Sequence, residues 1–230
     1  MPAAAACGLE ETAIAVAPGL RDVVSSIARL VAIGPRYISP PRGSMQILVR
    51  ADGAYVVGPH LRVLRKDAQR GSVMAVRIVA GTAPALFGVA ASELTDRVVS
   101  LAELWRDSPG TLEAQLAARA HDARFDRAMV HAAVLLDASP GLPIERLARE
   151  LAISARQLRR RFVAAVGLSP KRYARAARIR RAIAQARPHA RWAEVAVASG
   201  FYDQAHMIAE FRDVVGATPE VFAAELSVQR

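Results

Sequence analysis

The chain has 230 residues, a single cysteine, 5% aromatic residues and a formal net charge of +10. That length suits two small domains, each able to bury a core without covalent staples. Cys7 alone excludes an internal disulfide framework or a CxxC metal site, and no run reaches the ~18–20 apolar residues of a membrane span.

The opening segment has no basic start and carries Glu10 and Glu11, so residues 1–20 read as a flexible tail and not as a signal peptide. A cytoplasmic location is expected. Residues 21–107 read as a small β-rich domain. Gly and Pro recur there as Gly34-Pro35, Pro40-Pro41, Gly43, Gly53, Gly58-Pro59, Gly71 and Gly81. Between them the runs Met45–Val49, Tyr55–Val57, Leu61–Leu64 and Val73–Val79 predict short strands. Ala83–Phe87, Ala91–Leu94 and Leu101–Trp105 predict helical turns, the last with Ser100 and Glu103 placed to cap it.

From Thr111 onward the pattern is helical. Residues 108–120 read as a linker helix, and 121–230 as an all-α domain. Phe125, Met129, Ala133 and Leu136 follow a helical period that ends at Ser139-Pro140-Gly141. A unit then occurs twice, about 49 residues apart: Leu147 to Tyr173 and Val195 to Phe222. Phe162 aligns with Phe211, Gly167 with Gly216, Pro170 with Pro219 and Tyr173 with Phe222.

Each copy predicts helix, tight turn, helix. In the first, Ile144–Leu151 supports, Ala152–Ser154 turns, and Ser154 caps a helix over 155–166 that stops at Gly167. Leu158, Phe162 and Val166 recur every four residues and face the core. Arg156, Gln157, Arg159 and Arg160 therefore face outward. In the second, Trp192–Ala198 supports, Ser199–Phe201 turns, and Asp203 caps a helix that runs to Val215. Gln204, Ala205, His206 and Ala209 face outward. A basic helix over 170–187, opened by Pro170 and closed by Pro188, joins the copies.

Charge points the same way. Residues 1–120 hold 13 Lys/Arg against 10 Asp/Glu, whereas 121–230 hold 18 against 11. Arg156 to Arg191 includes twelve basic residues and no acidic one. Such a stretch repels itself unless a polyanion is near, and nucleic acid is the usual partner, with a membrane surface the rival. One helix with its side chains fits the major groove. Two on a rigid connector could enter successive grooves ~34 Å apart. Outward arginines can bond guanine, and glutamine adenine. Lys171, Arg172 and Arg175 on the connecting helix are placed to hold phosphates.

These motifs resemble the C-terminal domain of AraC/XylS-type transcriptional regulators. The resemblance rests on Ala196, Gly200-Phe201, Asp203 to His206, Phe211-Arg212, Gly216 and Thr218-Pro219 in the second copy. In the first it rests on Leu147-Ala148, Ser154, Leu158, Arg160, Phe162, Gly167 and Tyr173. It covers about 105 residues and implies a bacterial transcription factor with seven helices and two recognition helices. By position it implies DNA contacts at Arg156, Arg159 and Arg160, and at Gln204, Ala205, His206 and Ala209. Ala209 departs from an arginine frequent there, so the first helix is expected to carry most base-specific energy. The overall fold class is therefore α+β: a small β-rich domain, then about seven helices with two helix-turn-helix units.

The N-terminal half, through Pro41-Arg42-Gly43 and the segment from Arg77 to Trp105, resembles the β-rich domain of one AraC-type subgroup. The resemblance implies small-molecule sensing or dimerisation, with coupling expected at Asp107–His121. Double-stranded DNA is the expected partner; RNA polymerase, an effector and a second copy are left open. No cofactor, metal or catalysis is expected. Residues 1–120 contain only His60, too few for a histidine metal cluster, and the sequence has no nucleophile elbow or P-loop. A ligand-independent architectural DNA binder is the alternative.

Overall fold

The structure, a computed structural model, describes residues 8–68, 71–106 and 110–228. Among the described residues the first half forms eight strands: β1 (Leu9–Ile14), β2 (Val24–Ala32), β3 (Arg36–Ser39), β4 (Gln46–Arg50), β5 (Gly53–Val57), β6 (Leu64–Asp67), β7 (Ser72–Ile78) and β8 (Val98–Ser100). Six form an antiparallel sheet in the order β1-β2-β7-β4-β5-β8, and β3 pairs separately with β6. Side chains alternate across the sheet. On one face Ile47, Val56 and Val76 meet the short helix α1 (Ala83–Phe87) and the buried Trp105. Trp105 stacks on Phe87 at 5.7 Å and donates its indole N–H to the Leu86 carbonyl at 2.8 Å. On the other face Leu48, Val57 and Ala75 form a smaller cluster under the β3–β6 strand pair.

Three expectations need correction. Residues 1–20 are not all a tail, because Leu9–Ile14 pairs with β2 from Leu9 opposite Ala32 to Ile14 opposite Ile27. Glu11 grips Arg77 of β7 through both oxygens at 2.7 and 2.9 Å and fastens this strand to the sheet. Cys7 lies outside the described residues. The strand expected over Leu61–Leu64 begins at Leu64. Leu61 and Val63 are apolar for another reason: they pack on the core of the second helical repeat. The linker helix is α3 (Leu112–Asp122), after α2 (Leu101–Leu104). Its Leu116 is buried in the N-terminal core, so it walls that core and does not merely connect. Asp107, Ser108 and Pro109, part of the expected coupling segment, lie outside the described residues.

Seven helices follow: α4 (Arg127–Ala138), α5 (Ile144–Glu150), α6 (Ala155–Val166), α7 (Pro170–Gln185), α8 (Trp192–Ser199), α9 (Gln204–Val215) and α10 (Pro219–Val228). The sequence repeat is a structural repeat. Phe162 meets Tyr173 edge-to-face at 5.5 Å in the first core, and Phe211 meets Phe222 edge-to-face at 5.5 Å in the second. Aligned positions thus make the same contact twice.

The N-terminal half holds both repeats at corresponding places, the C-terminal ends of α6 and α9. Thr95 donates its hydroxyl to the Gly167 carbonyl at 2.8 Å. Val63 N–H reaches the Val214 carbonyl at 3.1 Å, and Arg65 reaches Val215 O at 3.0 Å while gripping Glu225 through two 2.8 Å bonds. Ile38 of β3 is buried within the second repeat's core.

Gly167 closes α6 with φ +91°, and an added Cβ would lie 2.6 Å from Pro59 Cγ and 2.8 Å from the Ala91 carbonyl oxygen. Gly167→Ala is expected to cost about 2–4 kcal/mol, from the left-handed backbone and the overpacked contact together. Urea unfolding measures the loss. Gly216→Ala, at φ +79° with open space around its Cβ, isolates the backbone part.

Candidate nucleic-acid interface

Capping fixes where each outward-facing helix begins. Ser154 Oγ accepts the Gln157 N–H at 3.2 Å and Gln157 Oε1 accepts the Ser154 N–H at 2.9 Å, a reciprocal box that starts α6. From that start Leu158, Phe162, Ala165 and Val166 are buried, and Arg156, Gln157, Arg159 and Arg160 are exposed. Asp203 Oδ1 accepts the His206 N–H at 2.7 Å and starts α9. Met207, Phe211, Val214 and Val215 are buried, while Gln204, Ala205, His206 and Ala209 are exposed.

The acid-free stretch from Arg156 to Arg191 is less highly charged in three dimensions than in sequence. Carboxylates from outside it neutralise much of it. Arg161 makes two 2.8 Å bonds to Asp126, Arg175 sits 2.6 Å from Asp213, and Arg178 grips Glu210 at 2.8 Å. Arg180 pairs with Asp137, while Arg181 donates to the Asp137 and Ala138 carbonyls. Among the described residues no ion pair reaches Arg156, Arg159, Arg160 or Lys171, and Arg172 has only a 4.0 Å contact with Asp96. Unneutralised charge is thus concentrated on the outer face of α6 and the first turn of α7. Arg175 differs from Lys171 and Arg172: it is half-buried and tied to Asp213.

The second outward helix is quieter. His206 Nδ1 accepts the Tyr202 N–H at 3.3 Å and Nε2 lies 3.3 Å from Glu210, so the ring is engaged within its own helix end. Ala205 and Ala209 are short. Of the four expected contact positions on this helix, Gln204 is the one long side chain without such a tie. Sequence reasoning overlooked Tyr202, which stands 89% exposed just before the α9 cap. A large aromatic in a turn whose neighbour Phe201 is buried was the available signal.

The Asp126–Arg161 pair fastens the start of α4 to α6. Hydrogen bonding from Arg161 holds the Asp126 carboxyl below its ordinary range. A depressed folded-state value stabilises the native state above the unfolded carboxylate pKa, and that contribution is lost as pH falls through the folded value. Asp126→Asn should therefore lower stability at neutral pH, with the gap to wild type closing below about pH 4. Urea melts of both proteins across that range test this; a constant gap would contradict it.

A family model described as a helix-turn-helix domain matches residues 147–225, from the middle of α5 into α10. Residues 147–225 are thus a helix-turn-helix domain. No curated protein matches the chain significantly. Solved structures of ToxT from Vibrio cholerae are similar in fold. One has 10% identity and a TM-score of 0.42, covering 84% of this chain and 91% of that one. A second has 10% identity and a TM-score of 0.44, covering 86% and 91%. A third, of ToxT with an unsaturated fatty acid bound, has 13% identity and a TM-score of 0.41, covering 84% and 88%. No helix among the described residues is long and apolar enough to cross a membrane.

Proposed function

We propose that the chain is a sequence-specific transcriptional regulator whose α6 and α9 enter successive major grooves of one DNA duplex. The observation that carries this reading is the selective exposure of charge. Arg156, Arg159 and Arg160 lie unneutralised on one face of α6, while most other arginines in the same stretch are spent on internal carboxylates. Base readout falls to Arg156, Arg159, Arg160 and Gln157 in α6, although Gln157 must leave its cap to reach a base. In α9 Gln204 reads, and Ala205, His206 and Ala209 give close approach. Lys171 and Arg172 hold phosphates. Arg175 would reach a phosphate only by giving up Asp213. The N-terminal half controls the geometry, since it grips both repeats, and takes a small-molecule effector.

Selection of bound DNA from a random library, with the full chain, tests the reading. The expected motif has two blocks about 10–10.5 base pairs apart, centre to centre. Equal binding of all sequences would favour the architectural alternative, and a single block would remove α9 from the mechanism.

A further inference from the structure

Buried polar side-chain atoms almost always find hydrogen-bond partners, so those without one are informative when they cluster. Among the described residues seven such atoms lack a partner, and five of them belong to residues lining a single cavity of about 70 Å³. The five are Arg42 Nε, Gln46 Oε1, Arg50 Nε, His60 Nε2 and Arg77 Nε. The cavity lies between the sheet face bearing Leu48 and Val57 and the β3–β6 strand pair, where Leu64 and Lys66 line it. Gln46 and Arg77 are cross-strand neighbours, 6% exposed each, and His60 is 4% exposed. Reciprocal 2.8 Å backbone bonds lock Arg42 opposite His60.

The chemistry of these atoms specifies a complement. Arg42, Arg50, Lys66 and Arg77 line the cavity against one carboxylate, Glu11, which is already spent on Arg77. Among the described residues Arg42 has no ion-pair partner. The guanidinium N–H groups therefore call for an anion, and a planar carboxylate suits them best. Two orphans are acceptors. His60 Nδ1 lies 2.9 Å from the Arg62 carbonyl, so it carries the proton and leaves Nε2 with a lone pair. Gln46 Oε1 is the other. Acceptors beside an anion site call for a donor, which a hydroxyl on the same ligand supplies. The cavity is far smaller than the ~300 Å³ of ordinary drug-sized pockets and suits a molecule of about six heavy atoms.

We infer that this cavity is the effector site, and that its ligand is a small hydroxycarboxylate: carboxylate on Arg42 and its cationic neighbours, hydroxyl to Gln46 and His60. The proposal deepens the effector reading above and depends on it only for consequences at DNA. Burial lowers the Arg42 pKa to about 9, the mark of a cation held without its counter-charge. The site also touches the DNA-binding half. Gly43 lies so close to the Tyr173 ring of α7 that an added Cβ would sit 2.5 Å from Cε2, and Arg180 of α7 is among the charges acting on Arg42.

Isothermal titration calorimetry on the full chain tests it, with glycolate, lactate and 3-hydroxybutyrate against acetate, propionate and butyrate. At least one hydroxy acid should bind once per chain, about tenfold or more tighter than its deoxy counterpart. Arg42→Met should lose that binding about tenfold or more while raising the melting temperature of the unliganded protein, because it removes an uncompensated buried cation. Gln46→Leu should keep carboxylate binding and lose the preference for the hydroxyl. No heat with any hydroxy acid at millimolar concentration overturns the proposal. So does tighter binding of inorganic phosphate or palmitate, or an unaltered isotherm in folded Arg42→Met. The DNA motif selected by the unliganded chain is read separately, so failure of this site and failure of the DNA-binding reading are told apart.

Discussion

Arg160→Ala is expected to weaken binding to the selected DNA site by about 1–3 kcal/mol and to relax preference at one base pair. The reason is positional. Arg160 is exposed on α6, two residues before the buried Phe162, and no ion pair competes for its guanidinium among the described residues. An arginine bidentate to guanine loses two bonds at once when truncated, and the guanine left behind keeps unpaired acceptors. Fluorescence anisotropy at fixed salt, on the selected and a scrambled duplex, separates base reading from charge. Lys171→Ala provides the contrast: it should weaken both duplexes alike and flatten the salt dependence by about one unit. Equal losses on both duplexes for Arg160→Ala would remove it from the reading set.

Arg178→Ala is expected to destabilise the protein by about 3 kcal/mol and to uncouple the two repeats. Arg178 lies on α7, mostly buried. It donates to both oxygens of Glu210 at 2.8 and 3.0 Å and to the Pro140 carbonyl at 3.0 Å, and it lies 5.5 Å from the Phe201 ring centre. One side chain thus ties the connecting helix to α9, to the loop after α4 and to the turn before α9. Removing it leaves Glu210 buried with weaker company, Arg175 at 3.7 Å and His206 at 3.3 Å. Breaking a buried pair from one side costs about 3–5 kcal/mol, and the remaining partners place this case at the low end. Urea unfolding gives the stability loss. The two-block DNA site should lose more affinity than a single-block site, and equal losses would show that Arg178 only stabilises the fold.

Much of the helical half was legible because its signals are local. Ser154 and Asp203 start helices, Gly167 and Gly216 end them, and the four-residue spacing of Leu158, Phe162 and Val166 fixes the exposed face. Those cues need no knowledge of distant contacts, and all recur in the structure. The misses were non-local. The start of the chain read as a tail because the partner of Glu11, Arg77, lies 66 residues away. Leu61 and Val63 looked like a strand, but their apolar character serves a helical core far along the chain. The acid-free basic stretch overstated the free charge for the same reason, since Asp126, Asp137, Glu210 and Asp213 lie outside it in sequence and beside it in space. The cavity at Arg42 and His60 gave no sequence signal, because it is assembled from several strands and a bridged loop.

The grip of Thr95 on the end of α6, and of Val63 and Arg65 on the end of α9, makes the pair a caliper of fixed gauge. Each base pair added between two recognition blocks turns the second by about a tenth of a revolution and shifts it along the axis. A caliper pinned at both heels cannot follow. Operators should thus accept changes in the letters between the blocks far more readily than changes in their number, and a molecule bound inside the N-terminal half could retune the promoter repertoire simply by resetting the gap.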